Sequence, residues 1–137
     1  MKTLPLRLSP GADLRLALQQ LLPAQGVAAA FVLAGIGSLS QTRLRLAGAA
    51  EPLLLHGDVE LLALSGSLAP DGAHLHASVA DAAGRVLGGH VAPGCIVRTT
   101  AELLLVLLPD WAFAREPDAV TGFAELCITR PGEGAGH

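Results

Sequence analysis

The chain has 137 residues, of which 51% are hydrophobic and only 15% charged, with aromatics at 3% and a formal net charge of −3. That length suits one domain able to bury a core without disulfides or metal, and the sparse aromatics leave Leu, Val, Ala and Ile to build it. The acidic balance gives no electrostatic footprint for wrapping phosphate backbones and disfavours strong, direct nucleic-acid binding by this domain alone, while the apolar excess can either enter a membrane or be hidden between subunits.

The first strand is expected at Thr3 to Leu8, where Leu4, Leu6 and Leu8 alternate with Pro5 and Arg7. Proline keeps such a strand at a sheet edge. Ser9-Pro10-Gly11-Ala12-Asp13 reads as a helix start, with Ser9 as capping hydroxyl, and the stripe Leu14, Leu18, Leu21, Leu22 carries one main helix to about Leu22, ended by Pro23 and Gly26. Residues 27–38 lose helical period and are consistent with a fully buried strand, although the alanines keep a helix open as the alternative, and a half-exposed strand follows at 41–46.

The uncharged stretch 25–42 contains Gly35 and Gly37 and ends in Ser38, Ser40, Gln41 and Thr42. It falls short of the roughly 20 apolar residues of a spanning helix. The N-terminus also lacks the uninterrupted apolar core of a secretory signal. A cytoplasmic oligomer without membrane contact is expected, with Cys95 and Cys127 as reduced thiols.

Leu53–His56 and Val59–Leu68 read as a strand pair joined by Gly57-Asp58, and Ala69-Pro70-Asp71-Gly72 as the next turn. His74-Leu75-His76-Ala77-Ser78-Val79 alternates with period two, which places His74, His76 and Ser78 on the open face of a strand. Asp81-Ala82-Ala83-Gly84-Arg85 suits a three-residue hairpin loop pairing Asp81 with Arg85. Counting back from that pair sets His76 opposite His90 and Gly88 opposite Ser78, with Leu75, Ala77, Val79, Leu87 and Val91 on the buried face. A two-residue loop would instead oppose Leu75 to His90 and push that histidine into the core.

Residues 95–98 and 101–108 read as two apolar segments parted by Thr99-Thr100. Trp111, Phe113, Arg115 and Glu116 read as a loop, and 120–129 as a last strand closing the sheet. Residues 1–130 then form a single domain and 131–137 a Gly-rich flexible tail. The fold class is α+β: an antiparallel-rich sheet of about seven strands with one main N-terminal helix.

Gly35-Ile36-Gly37-Ser38-Leu39-Ser40, residues 60–68, Pro70-Asp71-Gly72-Ala73-His74-Leu75-His76, Gly88-Gly89-His90 and Val97-Arg98-Thr99-Thr100-Ala101-Glu102 together resemble the plants-and-prokaryotes conserved (PPC) domain over roughly residues 2–128. The resemblance implies a compact α/β fold assembling as a homotrimer. In plants the domain follows an AT-hook and contacts transcription factors, but no Arg-Gly-Arg core occurs here. Stand-alone prokaryotic members are labelled DNA-binding, and those with the HxH and GGH pieces look like zinc binders, which points to His74, His76 and His90 as metal ligands.

Three imidazoles on one open face leave a coordination position for water or a ligand, an arrangement that suits Zn²⁺. His56 and His137 read as a strand-end and a tail residue. Glu60, Glu102 and Thr99 are candidates for base or positioner if the ion activates water, although no nucleophile elbow, phosphate loop or HExxH is present. The expected function is a trimeric regulatory module with a three-histidine metal or small-ligand site. It would associate with DNA through Arg43, Arg45 and Arg98, or with a DNA-binding partner. A metal-dependent hydrolase using the same histidines is the alternative.

Overall fold

The structure, a computed structural model, describes residues 1–133. Ten elements follow in order: β1 (Lys2–Leu8), α1 (Leu14–Gln19), α2 (Leu21–Gln25), β2 (Ala30–Arg45), β3 (Leu53–Ala69), β4 (Gly72–Ala80), β5 (Val86–Val91), β6 (Ile96–Leu107), β7 (Ala112–Pro117) and β8 (Ala124–Thr129). Six strands form one antiparallel sheet in the order β1-β6-β2-β3-β4-β5, and β7 pairs with β8 in a second, two-stranded sheet. The α+β class and the antiparallel-rich sheet stand as expected, and among the described residues β1 lies at an edge, paired with β6 alone. The expected tail, 131–137, has its last four residues, His137 among them, outside the described residues.

Several expected boundaries dissolve into long strands. Residues 27–38 and 41–46 belong largely to one 16-residue strand, β2, and the pair expected around Gly57-Asp58 is one 17-residue strand, β3. Residues 57 and 58 are extra members opposite Ser40, taken up by a bulge between the pairs Leu39↔Val59 and Gln41↔His56. The positive φ of Gly57, 102°, allows that irregularity. Thr99-Thr100 likewise continues β6. In each case the pair interrupts the apolar pattern and shifts the register to β2, yet pairing resumes on both sides, so a single strand runs through.

Three further expectations are corrected. Residues 30–38 are not buried throughout: Leu33 and Ile36 are each 55% exposed, since the strand shows one face to the core and one outward. Residues 112–117 are strand β7 rather than loop, and β8 pairs with β7 instead of closing the main sheet. Phe113 on β7 packs with Ala29, Ala69 and Phe31 into a small second core, with the Phe31 and Phe113 rings edge to face at 5.5 Å.

The helix cap is Asp13, not Ser9. The Asp13 Oδ1 accepts from the backbone N–H of Leu16 at 3.1 Å, and its Oδ2 accepts from the Gly94 N–H at 2.7 Å. One carboxylate therefore caps α1 and ties it to the turn before β6. The helix is also split at Gln20, and Pro23 lies within the first turn of α2, where its missing N–H costs nothing. Gly26, at φ 67°, closes α2 in the left-handed conformation. Leu14, Leu18 and Leu22 face the core formed with β2, β3, β4 and β6.

The sheet also curls back on itself. β2 pairs along one edge first with β6 and then, past the end of β6, with β5 through Leu44↔Val91 and Arg45↔His90. Since β5 is joined to β4, and β4 to β3, strands β2 to β5 form a closed ring at this end. Gly89 permits the closure: a Cβ there would sit 2.6 Å from the Arg45 carbonyl oxygen.

Candidate metal and ligand site

The closed end carries the histidines. Asp81 accepts the N–H groups of Ala83 and Arg85 on Oδ1, both at 2.9 Å, and holds the Arg85 Nε on Oδ2 at 2.9 Å. With Gly84 at φ 78°, this gives the three-residue loop. The resulting register is Ala80↔Val86 through His76↔His90, including Ser78↔Gly88. Leu75, Ala77, Val79 and Val91 are buried beneath, with Leu87 packed against them, so the register agrees with the sequence pattern.

His74, His76 and His90 come together. The Nε2 atoms of His74 and His76 are 3.0 Å apart, and one nitrogen from each of the three rings lies within 4.8 Å of the others. His74 and His90 stack with centroids 5.3 Å apart and an interplanar angle of 14°, while His76 stands edge-on to both, at 4.8 and 4.5 Å. Tetrahedral zinc with Zn–N bonds of about 2.0–2.1 Å wants ligand nitrogens about 3.3 Å apart. The observed spacing brackets that value, so the three donors fit a metal with small ring rotations. Burial, followed by the charge of Arg115 and the other two imidazoles, lowers the pKa of His74. Burial, then Arg45, His76 and Arg15, lowers that of His90. Both rings are thereby biased toward the neutral form that ligates metals.

Around this cluster lies an open cavity of about 1040 Å³, bordered by His74 and His90 and by Arg15, Arg45 and Arg115. Residue spacing gave no sign of Arg15 or Arg115, which reach the site from distant elements. Arg15 follows the Asp13 cap, and its Nη1 donates to the Val91 carbonyl at 3.0 Å, just beyond His90. Arg115 is placed by the turn before β4: Asp71 accepts the Arg115 backbone N–H at 2.9 and 3.1 Å, and the Arg115 Nη2 donates to the Ser67 Oγ at 2.9 Å. Ser67 is the ladder partner of His74, so the guanidinium stands beside that ring. Asp71 and Glu125 are the carboxylates on the cavity wall.

The arginines singled out in the sequence part company. Arg45 lines the histidine cavity, Arg98 is ion-paired with Asp58 at 3.0 Å, and Arg43 is exposed on β2 beside Gly94. The candidate bases are not brought to the histidines. Thr99 is hydrogen-bonded to Ser38 at 2.6 Å, Glu60 pairs with Ala80 at the other end of β4, and Glu102 pairs with Ile36 and Arg7. Cys95 is buried, accepts the Arg43 N–H and donates to the Arg43 carbonyl, both at 3.3 Å. Burial pushes its thiol pKa up, as suits a structural thiol; Cys127 is likewise free.

Residues 1–109 match the model of the Plants and Prokaryotes Conserved (PCC) domain. Among curated proteins, the chain is 50% identical over 133 residues to the bifunctional protein GlmU of Synechococcus sp. (strain JA-3-3Ab), covering 97% of this chain and 21% of that protein. The chain thus spans about a fifth of the length of the curated relatives it matches. Among solved structures, a hypothetical protein from Salmonella enterica is 40% identical with a TM-score of 0.90, covering 94% of each chain. A metal-containing protein from Archaeoglobus fulgidus is 26% identical with a TM-score of 0.74, covering 93% of this chain and 94% of its own.

Proposed function

The chain belongs to the Plants and Prokaryotes Conserved (PCC) domain family, and we propose that it is a homotrimeric assembly or regulatory module whose three-histidine cluster holds a zinc ion open to a small ligand. The observation that carries the metal is the convergence of His74, His76 and His90 within 4.8 Å on one open sheet face. The metal-containing relative from Archaeoglobus fulgidus supports it. When bound, the ion supplies a Lewis acid with one position free for water or a ligand oxygen. The chain's own groups do the rest: two imidazoles biased toward the neutral form, and Arg45 and Arg115 beside them to orient what enters.

Assembly is supported by the outward face of the main sheet. Leu33 and Ile36 on β2, Leu62 on β3 and Leu104 on β6 are all exposed. Ala34 pairs with Leu104, and Ile36 lies next to the pair Gly37↔Leu61. These side chains thus fall on adjacent strands as exposed apolar surface around Glu102, the partner of Ile36, and surface of this kind is commonly covered by another subunit. Among the described residues no helix is long and apolar enough to cross a membrane.

Metal analysis of the purified protein, alongside its mass in solution, tests both parts. One zinc per chain and a mass of three chains are expected. No uptake on adding zinc removes the metal, and a monomer at micromolar concentration removes the assembly. Association with DNA, directly or through a DNA-binding partner, predicts salt-sensitive retardation of duplex DNA; no retardation at low salt sinks it. Three histidine donors would leave a bound ion a position for water, which is what a hydrolase, the second reading, would use. That reading predicts hydrolysis of 4-nitrophenyl acetate or 4-nitrophenyl phosphate that is lost in His76→Ala.

A further inference from the structure

We propose that the cavity beside the histidines is a binding site for the oxyanion group of a small molecule, a phosphate or a carboxylate, gripped by Arg15, Arg45 and Arg115. The inference deepens the ligand site proposed above, but the arginines carry it whether or not the histidines hold a metal.

Three guanidinium groups line one concavity in a chain whose net charge is −3. Each is held from behind by a neutral oxygen: the Val91 carbonyl for Arg15, the Ala49 carbonyl at 3.4 Å for Arg45, and the Ser67 hydroxyl for Arg115. Among the described residues the ion pairs join Arg85 to Asp81 and Arg98 to Asp58, and none of the three cavity arginines takes part. A guanidinium has five N–H donors, and these anchors use one on each residue. Among the described residues the other donors make no further hydrogen bond or ion pair and remain available to something that enters.

Placing like charges together in a partly dry site has a cost. Burial and then the charge of Arg115 lower the pKa of Arg15, against the opposing pull of Asp13. An incoming anion offsets that repulsion and accepts the forked donors that suit phosphate and carboxylate alike. The arginines reach the histidines as well: Arg115 lies beside His74 together with Glu125, Arg45 lies beside His90, and Asp71 is committed to the Arg115 backbone. A cation near the histidines and an anion near the arginines are therefore complementary neighbours. Phe123, 73% exposed, borders the same cavity and offers an apolar face for the body of a ligand whose head is charged.

The test is calorimetric titration of chelator-treated and zinc-loaded protein with inorganic phosphate and, separately, with acetate, at constant ionic strength. Saturable binding of at least one is expected in both forms, and the stronger of the two identifies the head group. Arg15→Gln and Arg115→Gln should each weaken it about tenfold or more, the scale of a charge-assisted hydrogen bond. Arg45→Gln, whose single anchor is long, provides a variant with little risk to folding and should weaken it too. His76→Ala should lose zinc yet keep anion binding to the metal-free protein, which separates this site from the metal reading. Absence of saturable binding by either anion in both forms overturns the proposal, as do unchanged affinities in the three folded arginine variants.

Discussion

Replacing Gly89 by alanine tests whether ring closure positions the metal ligands. A Cβ at Gly89 would lie 2.6 Å from the Arg45 carbonyl oxygen and 3.1 Å from its carbon, whereas ordinary contact begins at 3.4 Å. The strand must therefore retreat by the difference, 0.8 Å, and what opposes it is backbone rather than a flexible side chain. Overpacking of this kind costs about 1–3 kcal/mol. The retreat falls on the pair Arg45↔His90, next to the ring that completes the cluster, so zinc affinity should drop about 10- to 100-fold, the usual effect of losing a group that orients a ligand. Gly88→Ala is the graded control. Its Cβ would meet the Ala77 carbonyl oxygen at 3.1 Å, needing a shift of only a few tenths of an ångström, and should cost less on both counts. Urea unfolding measures the stability, and zinc titration against a competing chelator measures the affinity. If Gly89→Ala unfolds within about 0.5 kcal/mol of the parent and takes up zinc as tightly, the closure of β5 on β2 does not position the site.

His76→Ala should reduce bound zinc from one per chain to well below stoichiometric, read by elemental analysis, with the unfolding midpoint of the metal-free protein little changed because the ring is exposed. The pKa values of His74 and His90 are lowered in the folded chain, so below the ordinary value of 6.5 the unfolded chain binds more protons. Metal-free stability should then fall as pH drops through and below 6.5 and should be flat with respect to these groups above it, with zinc released over the same acidic range; a urea midpoint constant from pH 7 down to 5 would refute it. Ile36→Asp places a charge in the apolar face of β2, 55% exposed in the single chain, and should shift the sedimentation mass toward one chain without unfolding the core. Asp13→Ala removes both the cap on Leu16 and the anchor to Gly94; it should cost about 2 kcal/mol in urea unfolding and weaken phosphate binding by releasing Arg15.

What the sequence revealed depends on how local each cause was. The histidine hairpin was legible because everything that determines it lies within residues 74–91: a period-two pattern, an Asp and a Gly at the loop, and a buried face that permits one register only. The long strands were not legible as single elements. Gly57-Asp58 and Thr99-Thr100 look like turns in one dimension, whereas in the fold each is absorbed as an irregularity after which the pairing to β2 resumes. The strand β7 was missed because Arg115 and Glu116 break its apolar pattern. Its partner β8 begins seven residues after it ends, and the pair stands apart from the main sheet. Arg15 and Arg115 were beyond reach for a different reason. Their contacts to Val91 and Ser67 span 76 and 48 residues, and no short spacing encodes them.

The dispersal of the site across the chain has an energetic consequence of its own. A metal on His74, His76 and His90 bridges β4 to β5, and an anion on Arg15, Arg45 and Arg115 bridges α1, β2 and β7 across the same opening. Neither ligand has a preformed site in the unfolded chain, so each adds its binding free energy to folding, about 2.7 kcal/mol at a hundredfold excess over the dissociation constant. The two additions share one element, the short strand β5. His90 would ligate the proposed ion from it, Val91 anchors Arg15, and Gly89 allows it to meet β2. Whatever fixes β5 for one ligand has already met part of the ordering cost for the other, so the two should bind with positive coupling. Zinc-loaded protein should then bind phosphate more tightly than metal-free protein does. By reciprocity, phosphate should tighten zinc by the same factor, and a ratio of one in both directions would mean that β5 is already fully ordered without either.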